Sequence, residues 1–181
     1  MQTLSNFPQT IHTPHLILQT IAPTMENARR IFNAIGENRE YLESWQGHIE
    51  YLRTVDDVLQ TLKLRHNQIE QNEGILFGIY HNDGFIGRIR FFDIKDNCCE
   101  IGFWLIESET GNGYMSEALS ALETELFDFG FDRIILDVDA GNTPSENVAK
   151  RNEYKLEKQL PMASWAKCVG KCDSLIYVKN A

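Results

Sequence analysis

The sequence offers little that would place the protein in or across a membrane. No run approaches the roughly 18 consecutive apolar residues of a membrane span. The first residues, M-Q-T-L-S-N-F-P, have neither the basic region nor the apolar region of a secretion signal. We therefore expect a soluble cytoplasmic protein with no membrane partner.

Positive charge is also in short supply. The 17 lysines and arginines are outnumbered by 26 aspartates and glutamates, which gives a formal net charge of -9 at pH 7. A general nucleic-acid binder normally presents a basic face, so we expect no nucleic-acid partner, although one local basic patch could lie within the acidic average. The excess of negative charge suits a cationic or amine-bearing partner.

Cysteine is scarce as well. Cys98 and Cys99 are adjacent, while Cys168 and Cys172 form C-x-x-x-C, which is not the two-residue spacing of the commonest zinc sites. We expect four reduced thiols and no bound metal, with a disulfide or a metal pair as the alternative.

The pattern of apolar residues predicts one mixed α/β domain over residues 1–181, since no internal repeat, low-complexity tract or linker interrupts the chain. Residues 1–13 are interpreted as a leader. Helical spacing predicts helices at 24–35, at 38–45 and from 54 to about 74, and again after Gly113 and after Pro144. Alternating stretches predict a mostly antiparallel mixed sheet of about six or seven strands, at 13–20, 75–81, 85–94, 98–106, 133–140, 154–160 and 174–179.

The stretch I-E-S-E-T-G-N-G-Y-M-S (106–116) is the most informative motif. An apolar strand precedes it, Gly111 and Gly113 lie in its centre, and a helical apolar stripe from Met115 to Phe129 follows. A strand that turns through glycines into a helix N-terminus directs several backbone N–H groups at one point, where the helix dipole favours an anion. This pattern predicts a phosphate-binding loop, although no Lys-Ser or Lys-Thr follows as in a nucleotide P-loop.

A methyltransferase is the first alternative. E-T-G-N-G-Y-M-S resembles the glycine loop that holds S-adenosylmethionine, and Asp137 to Asp139 follow at about the distance of the acidic ribose partner. Only about 40 residues remain beyond Asp139, however, and a doubly wound sheet needs several more strand-helix units. Length therefore favours another interpretation.

Five motifs occur in an order that resembles one enzyme family. They are T-P-H-L-I-L-Q (13–19), N-R-E-Y-L-E-S-W (38–45), E-I-G-F-W-L (100–105), G-N-G-Y-M-S-E-A-L (111–119) and N-T-P-S-E-N-V-A-K-R-N-E-Y (142–154). From Thr13 to the C-terminus the chain resembles the GNAT-family N-acetyltransferases, and most of all the branch that acetylates the N-termini of ribosomal proteins.

This resemblance implies acetyl-coenzyme A as cosubstrate. The glycine loop would hold its pyrophosphate, and backbone groups around Trp104 to Ile106 would pair with its pantetheine arm, in a gap between splayed strands. The cofactor-binding residues that the resemblance implies are Trp104, Leu105, Ile106, Thr110, Gly111, Asn112, Gly113, Tyr114, Met115, Asn142 and Asn147. Thr110 and Met115 depart from the family, which usually has Gln or Arg and then Gly or Ala at these positions.

The same resemblance suggests two catalytic residues. Ala149 occupies the position at which many relatives place a tyrosine acid, so Ser145 becomes the candidate that protonates or hydrogen-bonds the departing thiolate; the alternative is an ordinary helix N-cap. Glu100, on the central strand, is the candidate general base, with a surface carboxylate as the alternative. His48 and His66 are rival bases, although His66 falls on an apolar helical stripe and is expected to be packed in the core.

The acceptor is expected to be a primary amine. Trp45 and Tyr51 lie in the segment that the family uses to cover the acceptor and would form an aromatic wall, with a core role for Trp45 as the alternative. A protein N-terminus is preferred over a small amine, because its amine loses its proton more easily than a lysine side chain and because an acidic chain should attract basic ribosomal proteins. A non-catalytic coenzyme-binding module and a homodimer are left open.

Overall fold

The computed structural model describes residues 3–181. Its eight strands form a single sheet. The strands are β1 (Thr10–His12), β2 (Ile17–Thr20), β3 (Gly74–His81), β4 (Gly84–Lys95), β5 (Cys98–Leu105), β6 (Arg133–Asp139), β7 (Lys155–Ala166) and β8 (Gly170–Asn180). The α-helices are α1 (Met25–Glu37), α2 (Arg39–Trp45), α3 (Val55–Glu70), α4 (Tyr114–Phe129) and α5 (Thr143–Arg151). Short 3-10 turns lie at Leu4–Asn6, Gly47–Tyr51 and Glu107–Glu109.

The sheet is almost entirely antiparallel. Its order is β1-β2-β3-β4-β5-β6-β8-β7, and β5 with β6 is the one parallel pair among residues 3–181. The mixed α/β fold and the mostly antiparallel sheet are confirmed, but the sheet has eight strands where about six or seven were predicted. The additional strand is β1, which pairs with β2 in the region interpreted as a leader.

The interpretation of residues 1–13 as a leader was wrong for the part that the structure describes. Leu4, Phe7 and Ile11 are buried, and the Phe7 ring lies 5.1 Å from the ring of Phe91, centroid to centroid. These three side chains anchor the segment beneath the sheet. A three-residue strand is too short to produce a recognisable alternation, and only the packing of its apolar residues holds it in place. The first two residues of the predicted leader lie outside the described residues.

Short-range capping and turn interactions set the helix and turn boundaries described here. At the start of α3, the Thr54 side chain accepts a hydrogen bond from the Asp57 N–H while the Asp57 carboxylate accepts one from the Thr54 N–H, which is a capping box. The β3–β4 hairpin turns through Asn82 and Asp83, both with positive φ. The chain leaves α4 through Gly130, whose φ of 105° suits glycine.

Helices cover both faces of the sheet. Helices α1, α2 and α3 pack on the face to which Leu76 and Trp104 point, whereas α4 and α5 cover the opposite face, to which Ile89 and Phe91 point. Because side chains alternate along a strand, Arg88 and Arg90 of β4 lie on the α1–α3 face. All four cysteines are free thiols.

The last hairpin is longer than predicted. Strands β7 and β8 extend to Ala166 and from Gly170, whereas alternation predicted strands only at 154–160 and 174–179. Strand β7 forms the edge of the sheet, and almost all of its residues are exposed. Its neighbour in the sheet is β8, which lies between β6 and β7.

Candidate active site

The parallel strands β5 and β6 separate from each other partway along their length. Only three residue pairs join them, Cys98–Arg133, Cys99–Ile134 and Glu100–Ile135. Beyond Glu100, β5 stays bonded to β4 as far as Leu105, and β6 stays bonded to β8 as far as Asp139. A wedge-shaped gap therefore opens in the middle of the sheet, with the backbone of β5 on one side.

The gap leaves a few backbone groups of β5 without a neighbouring strand. The Ile106 N–H donates to the Ile86 carbonyl at 2.9 Å, so by the two-residue repeat the backbone groups of Trp104 and Ile106 point to β4. Those of Phe103 and Leu105 point into the gap. The Phe103 carbonyl accepts a long contact of 3.4 Å from the Gln46 side-chain amide. Of the stretch expected to face a ligand, Leu105 is thus the residue whose backbone does so.

The glycine loop leads directly from the gap into α4. Gly111 and Gly113 have φ values of 81° and 84°, a left-handed conformation that residues with a Cβ rarely adopt. Gly113 occupies the N-cap position of α4 and, having no side chain, leaves the first turn of the helix uncapped. In the described part of the chain, no acceptor lies within hydrogen-bond distance of the backbone N–H groups of residues 111–116.

These free N–H groups are suited to binding an anion. Uncapped N–H groups at a helix N-terminus carry partial positive charge and favour a phosphate or pyrophosphate. The Ser116 hydroxyl is buried nearby and also lacks a partner among residues 3–181. Glu117, the acid in the first turn, does not compete for the loop, since its carboxylate accepts hydrogen bonds from the Thr13 hydroxyl and the His15 N–H. The residues present therefore fit a pyrophosphate group.

A cleft of about 460 Å³ extends from the glycine loop to the gap. Residues predicted from the sequence that line it are Trp45, Trp104, Leu105, Thr110, Gly111, Gly113, Tyr114, Met115, Asn142, Ser145 and Asn147. The predicted residues Ile106 and Asn112 are not part of the lining. Further lining residues that sequence reasoning missed include Tyr41, Gln46, Ser116 and Arg151.

A second cleft of about 370 Å³ lies on the α1–α3 face of the same gap and contains Glu100. Burial, together with the nearby carboxylates of Asp137 and Asp93, raises the pKa of Glu100 to about 7, and Arg90 opposes this rise. A carboxylate that titrates near neutral pH can accept a proton from an amine and pass it to solvent. Glu100 is therefore partly buried in the second cleft rather than fully exposed at the surface.

The two clefts meet at a shared set of residues, which are Trp45, Gln46, Phe103, Trp104, Asn142 and Ser145. Asn142 is the N-cap of α5, where its side chain accepts from the Ser145 N–H at 3.3 Å. The alternative interpretation of Ser145 as the N-cap was therefore wrong. The Ser145 hydroxyl has no hydrogen-bond partner among the described residues and lies on the boundary between the clefts. A group in one cleft can thus react with a group in the other beside this hydroxyl.

The remaining candidates lie in less favourable positions. Tyr51 is 73% exposed and lines neither cleft, so only Trp45 of the expected aromatic wall is present at the site. His66 is exposed and lines neither cleft, so its expected place in the core was wrong. His48 lines the second cleft, but burial and the guanidinium groups of Arg88, Arg90 and Arg65 lower its pKa to about 3. His48 is therefore a much weaker base than Glu100.

Three arginines of the second cleft were not predicted as site residues. Arg88 and Arg90 come from β4 and Arg65 from α3. The sequence signal that could have found them is the alternation of two arginines with the buried residues Ile89 and Phe91 on a central strand. Because side chains alternate along a strand, the two arginines share the face opposite Ile89 and Phe91, which in this fold the helices α1–α3 cover.

The described residues contain no helix with the length and apolarity that a membrane crossing requires. Within the same residues, no group of three or more histidines, cysteines, aspartates or glutamates is arranged to hold a metal ion.

Comparisons with known proteins agree with this geometry. A curated relative, the ribosomal-protein-serine acetyltransferase of Escherichia coli (strain K12), is 27% identical over 151 residues, which cover 82% of this chain and 84% of that protein. Two solved structures share the fold. The ribosomal L7/L12 alpha-N-protein acetyltransferase RimL in complex with coenzyme A has a TM-score of 0.89 at 21% identity and covers 94% of this chain and 97% of its own. The microcin C7 self immunity acetyltransferase MccE in complex with acetyl-CoA and AMP has a TM-score of 0.86 at 20% identity, with 93% of each chain covered.

The family model described as the acetyltransferase (GNAT) domain matches residues 15–155, which include all the residues that line the two clefts. The matched segment contains the divergent strands β5 and β6, the glycine loop and the Asn142 cap. The chain belongs to the GNAT acetyltransferase family.

Proposed function

We propose that the protein is an N-acetyltransferase that transfers the acetyl group of acetyl-coenzyme A to the N-terminal amine of a protein. The observation that carries this proposal is the meeting of the two clefts at the β5–β6 gap, with an anion-binding loop at the far end of one and Glu100 in the other. Family membership and the name of the curated relative support the same activity. A cytoplasmic location is part of the proposal.

In this proposal the first cleft binds the cosubstrate. The free N–H groups of residues 111–116 would bind the pyrophosphate, and the backbone of Leu105 in the gap would pair with the pantetheine arm. When bound, acetyl-coenzyme A supplies the thioester whose acetyl group is transferred. Trp104 and Trp45 would exclude water from the point at which the clefts meet, because both line the shared boundary.

The second cleft would receive the amine and its proton. During the transfer a nitrogen–carbon bond forms and the carbon–sulfur bond of the thioester breaks. One proton of the amine goes to the Glu100 carboxylate, which a pKa of about 7 keeps largely ionised in mildly alkaline solution. The Ser145 hydroxyl would give a proton or a hydrogen bond to the departing thiolate and recover its own proton from solvent.

The preference for an N-terminal amine follows from proton affinity. A peptide α-amino group has a pKa of about 8, against about 10.4 for a lysine side chain, so far more of it is neutral at physiological pH. A base of moderate strength such as Glu100 is therefore sufficient to accept a proton from a peptide α-amino group. The name of the curated relative, a ribosomal-protein-serine acetyltransferase, points to the same kind of acceptor.

The test combines binding with turnover. Calorimetry of the purified protein should detect acetyl-coenzyme A, and mixtures with synthetic peptides should release free thiol while the peptide N-terminus gains an acetyl group by mass spectrometry. Binding of S-adenosylmethionine in place of acetyl-coenzyme A would overturn the proposal. Binding of acetyl-coenzyme A without turnover of any amine would reduce the protein to a binding module, and faster turnover of simple amines than of peptides would make it a small-molecule enzyme.

We also propose that two copies associate through the β7–β8 hairpin. Strand β7 is a long, exposed edge strand, and Leu156, Met162 and Trp165 on it are at least half exposed. Such an edge with apolar side chains favours pairing with another chain. Sedimentation equilibrium should give a molecular mass twice the 20.8 kDa of one chain. Trp165→Ser should shift the measured mass towards that of the monomer.

A further inference from the structure

Three arginines come together in the second cleft. They lie on its β4 side, whereas β6 forms the opposite side. Arg88 and Arg90 extend from β4, and Arg65 reaches the same cleft from α3. We call Arg65, Arg88 and Arg90 the arginine cluster. All three side chains are half-buried between the sheet and the helices that cover it.

The arginine cluster lacks the carboxylate partners that half-buried arginines usually have. Within residues 3–181, no carboxylate oxygen lies within 4.0 Å of any of its guanidinium nitrogens, whereas Arg39 and Arg133 each pair with a glutamate. The partners of the cluster are neutral. Arg88 donates to the His48 ring, and the Arg90 guanidinium lies 3.7 Å from the centre of the Phe92 ring.

The third member is the least satisfied. One terminal nitrogen of Arg65 donates to the Gln68 side chain at 3.0 Å, but its Nε is buried without a partner among the described residues. Burial and the mutual repulsion of the cluster lower the pKa of Arg88 to about 9 and that of Arg90 to about 10. The structure thus holds several positive charges close together and partly out of water, an arrangement that an added anion would stabilise.

Carboxylates are present in the same cleft, but on another wall. Glu100, Asp137 and Asp139 lie on β5 and β6. Asp137 accepts from the Ser174 hydroxyl, and Asp139 from the Ser164 hydroxyl. The cleft is therefore divided into an acidic wall, which suits an ammonium or amine, and a basic wall, which suits an anion. A ligand that carries both charges close together matches this division.

The strand register sets the separation between the two walls. Glu100 pairs with Phe92, and the next position on that face of the sheet pairs Gly102 with Arg90. Diagonal neighbours on one face of a sheet lie about 7–8 Å apart, which two or three residues of extended peptide span. An amine at Glu100 and a carboxylate at the arginine cluster can thus belong to the first residues of one peptide.

We propose that the arginine cluster binds a carboxylate of the acceptor close to its amine, so that the enzyme prefers N-termini with an acidic residue at the second or third position. This inference rests on the proposed function. Guanidinium groups bind carboxylates through paired hydrogen bonds, and a neutral amide of the same shape loses that charge-assisted contact. The local charge of the cleft, rather than the net charge of the chain, then decides which N-termini are bound. It replaces the preference for basic substrates that the acidity of the whole chain suggested.

The test compares hexapeptides that differ only at the second residue, which is aspartate, asparagine or lysine. The aspartate peptide should have a kcat/KM about tenfold or more above that of the asparagine peptide, and the difference should shrink at high salt. Free aspartate is included as a small amine with a carboxylate. If free aspartate reacts faster than the aspartate peptide, the carboxylate subsite is supported and the protein acceptor of the proposed function is overturned.

Arg90→Gln and Arg88→Gln should each reduce the preference for the aspartate peptide about tenfold, and acetyl-coenzyme A should still bind in calorimetry. Because each variant removes an uncompensated charge, neither should lower the thermal unfolding midpoint, so a loss of selectivity cannot be attributed to unfolding. Arg29→Gln, at an exposed position of α1, is the matched control and should keep the preference.

Two results would contradict the inference and leave the proposed function intact. One is equal or faster acetylation of the asparagine or lysine peptide by the unaltered enzyme. The other is an unchanged preference in both arginine variants. Failure of every peptide and amine to react, with or without binding of acetyl-coenzyme A, would overturn the proposed function itself.

Discussion

Glu100 of β5 and Ile135 of β6 form the last residue pair between these two parallel strands, and the sheet opens immediately beyond them. Glu100 therefore lies at the narrow end of the gap, in the second cleft, while the glycine loop lies beyond the end of β5. This placement leaves Glu100 only partly accessible to water, which is the main reason why its pKa rises to about 7. The divergence of β5 from β6 thus both opens the gap and places Glu100 at its partly buried end.

The pH dependence of turnover should report this carboxylate. We expect kcat/KM for a peptide acceptor to rise with pH through an inflection near the Glu100 pKa of about 7, since only the ionised form accepts a proton. Glu100→Gln should remove that inflection and lower kcat/KM by about 10²-fold or more. Glu70→Gln, at the exposed end of α3, is the control. An unaltered profile in Glu100→Gln would exclude Glu100 as the base.

The same group should make stability depend on pH. The folded pKa of Glu100 is about 7, above the value of about 4.5 for an unperturbed carboxyl, so its contribution to stability is fully present below about pH 4.5 and is lost as pH rises through 7. Glu100→Gln should therefore unfold less readily than the unaltered protein at about pH 8, by about 1–2 kcal/mol after solvent screening, and by much less at about pH 5. Denaturant titrations at both pH values measure this difference. A constant difference at the two pH values would contradict the raised pKa.

Gly113 and Gly36 form a matched pair of glycines. Gly113 has a φ of 84° and caps α4, whereas Gly36 lies within α1 with open space around its Cα. Gly113→Ala should cost about 1 kcal/mol or more through backbone strain and should weaken acetyl-coenzyme A binding, because the loop N–H groups shift. Gly36→Ala should stabilise the protein by about 0.5–1 kcal/mol and leave binding unchanged. Thermal unfolding and calorimetry test both, and normal binding in Gly113→Ala would contradict the anion-binding loop.

Ser145 and Asn142 should separate chemistry from folding. If the Ser145 hydroxyl protonates or hydrogen-bonds the departing thiolate, Ser145→Ala should lower kcat about tenfold or more. The unfolding midpoint should stay unchanged, because this hydroxyl has no hydrogen-bond partner among the described residues. Asn142→Ala removes the cap of α5 and should lower the free energy of unfolding by about 1 kcal/mol. Steady-state kinetics and denaturant titration on both variants make the comparison. Full activity in Ser145→Ala would leave the thiolate to take its proton from solvent.

Glu43 should be important for stability rather than for turnover. Its buried carboxylate accepts from Lys167 at 2.7 Å and from Arg39 at 3.0 Å, and these cations hold its pKa below the usual range. Glu43→Ala should cost about 2 kcal/mol or more, because Lys167, Arg39 and the more distant Arg53 all lose the carboxylate they pair with. The contribution of Glu43 is present above about pH 4.5 and is lost as pH falls through its lowered folded pKa. A denaturant midpoint equal to that of the unaltered protein would show that the pair contributes nothing.

The sequence by itself determined the features that depend on neighbours a few residues apart. The capping box of Thr54 with Asp57, the hairpin turn at Asn82 and the glycine loop before α4 each form within one short segment, so their residues identify them. The same locality made the motifs of the family recognisable and with them the acetyltransferase fold.

Only the tertiary structure decided which distant residues share a cleft. His48 and Arg88 are 40 positions apart yet bonded, and the arginine cluster combines a helix with a strand. The separation of β5 from β6 likewise depends on their other neighbours, since β5 stays paired with β4 and β6 stays paired with β8 beyond the point of divergence. Tyr51 was expected at the site and lies outside it, at the end of a short 3-10 turn with its side chain 73% exposed. Long-range contacts of this kind leave no periodic signal along the chain, since each partner is chosen by three-dimensional packing.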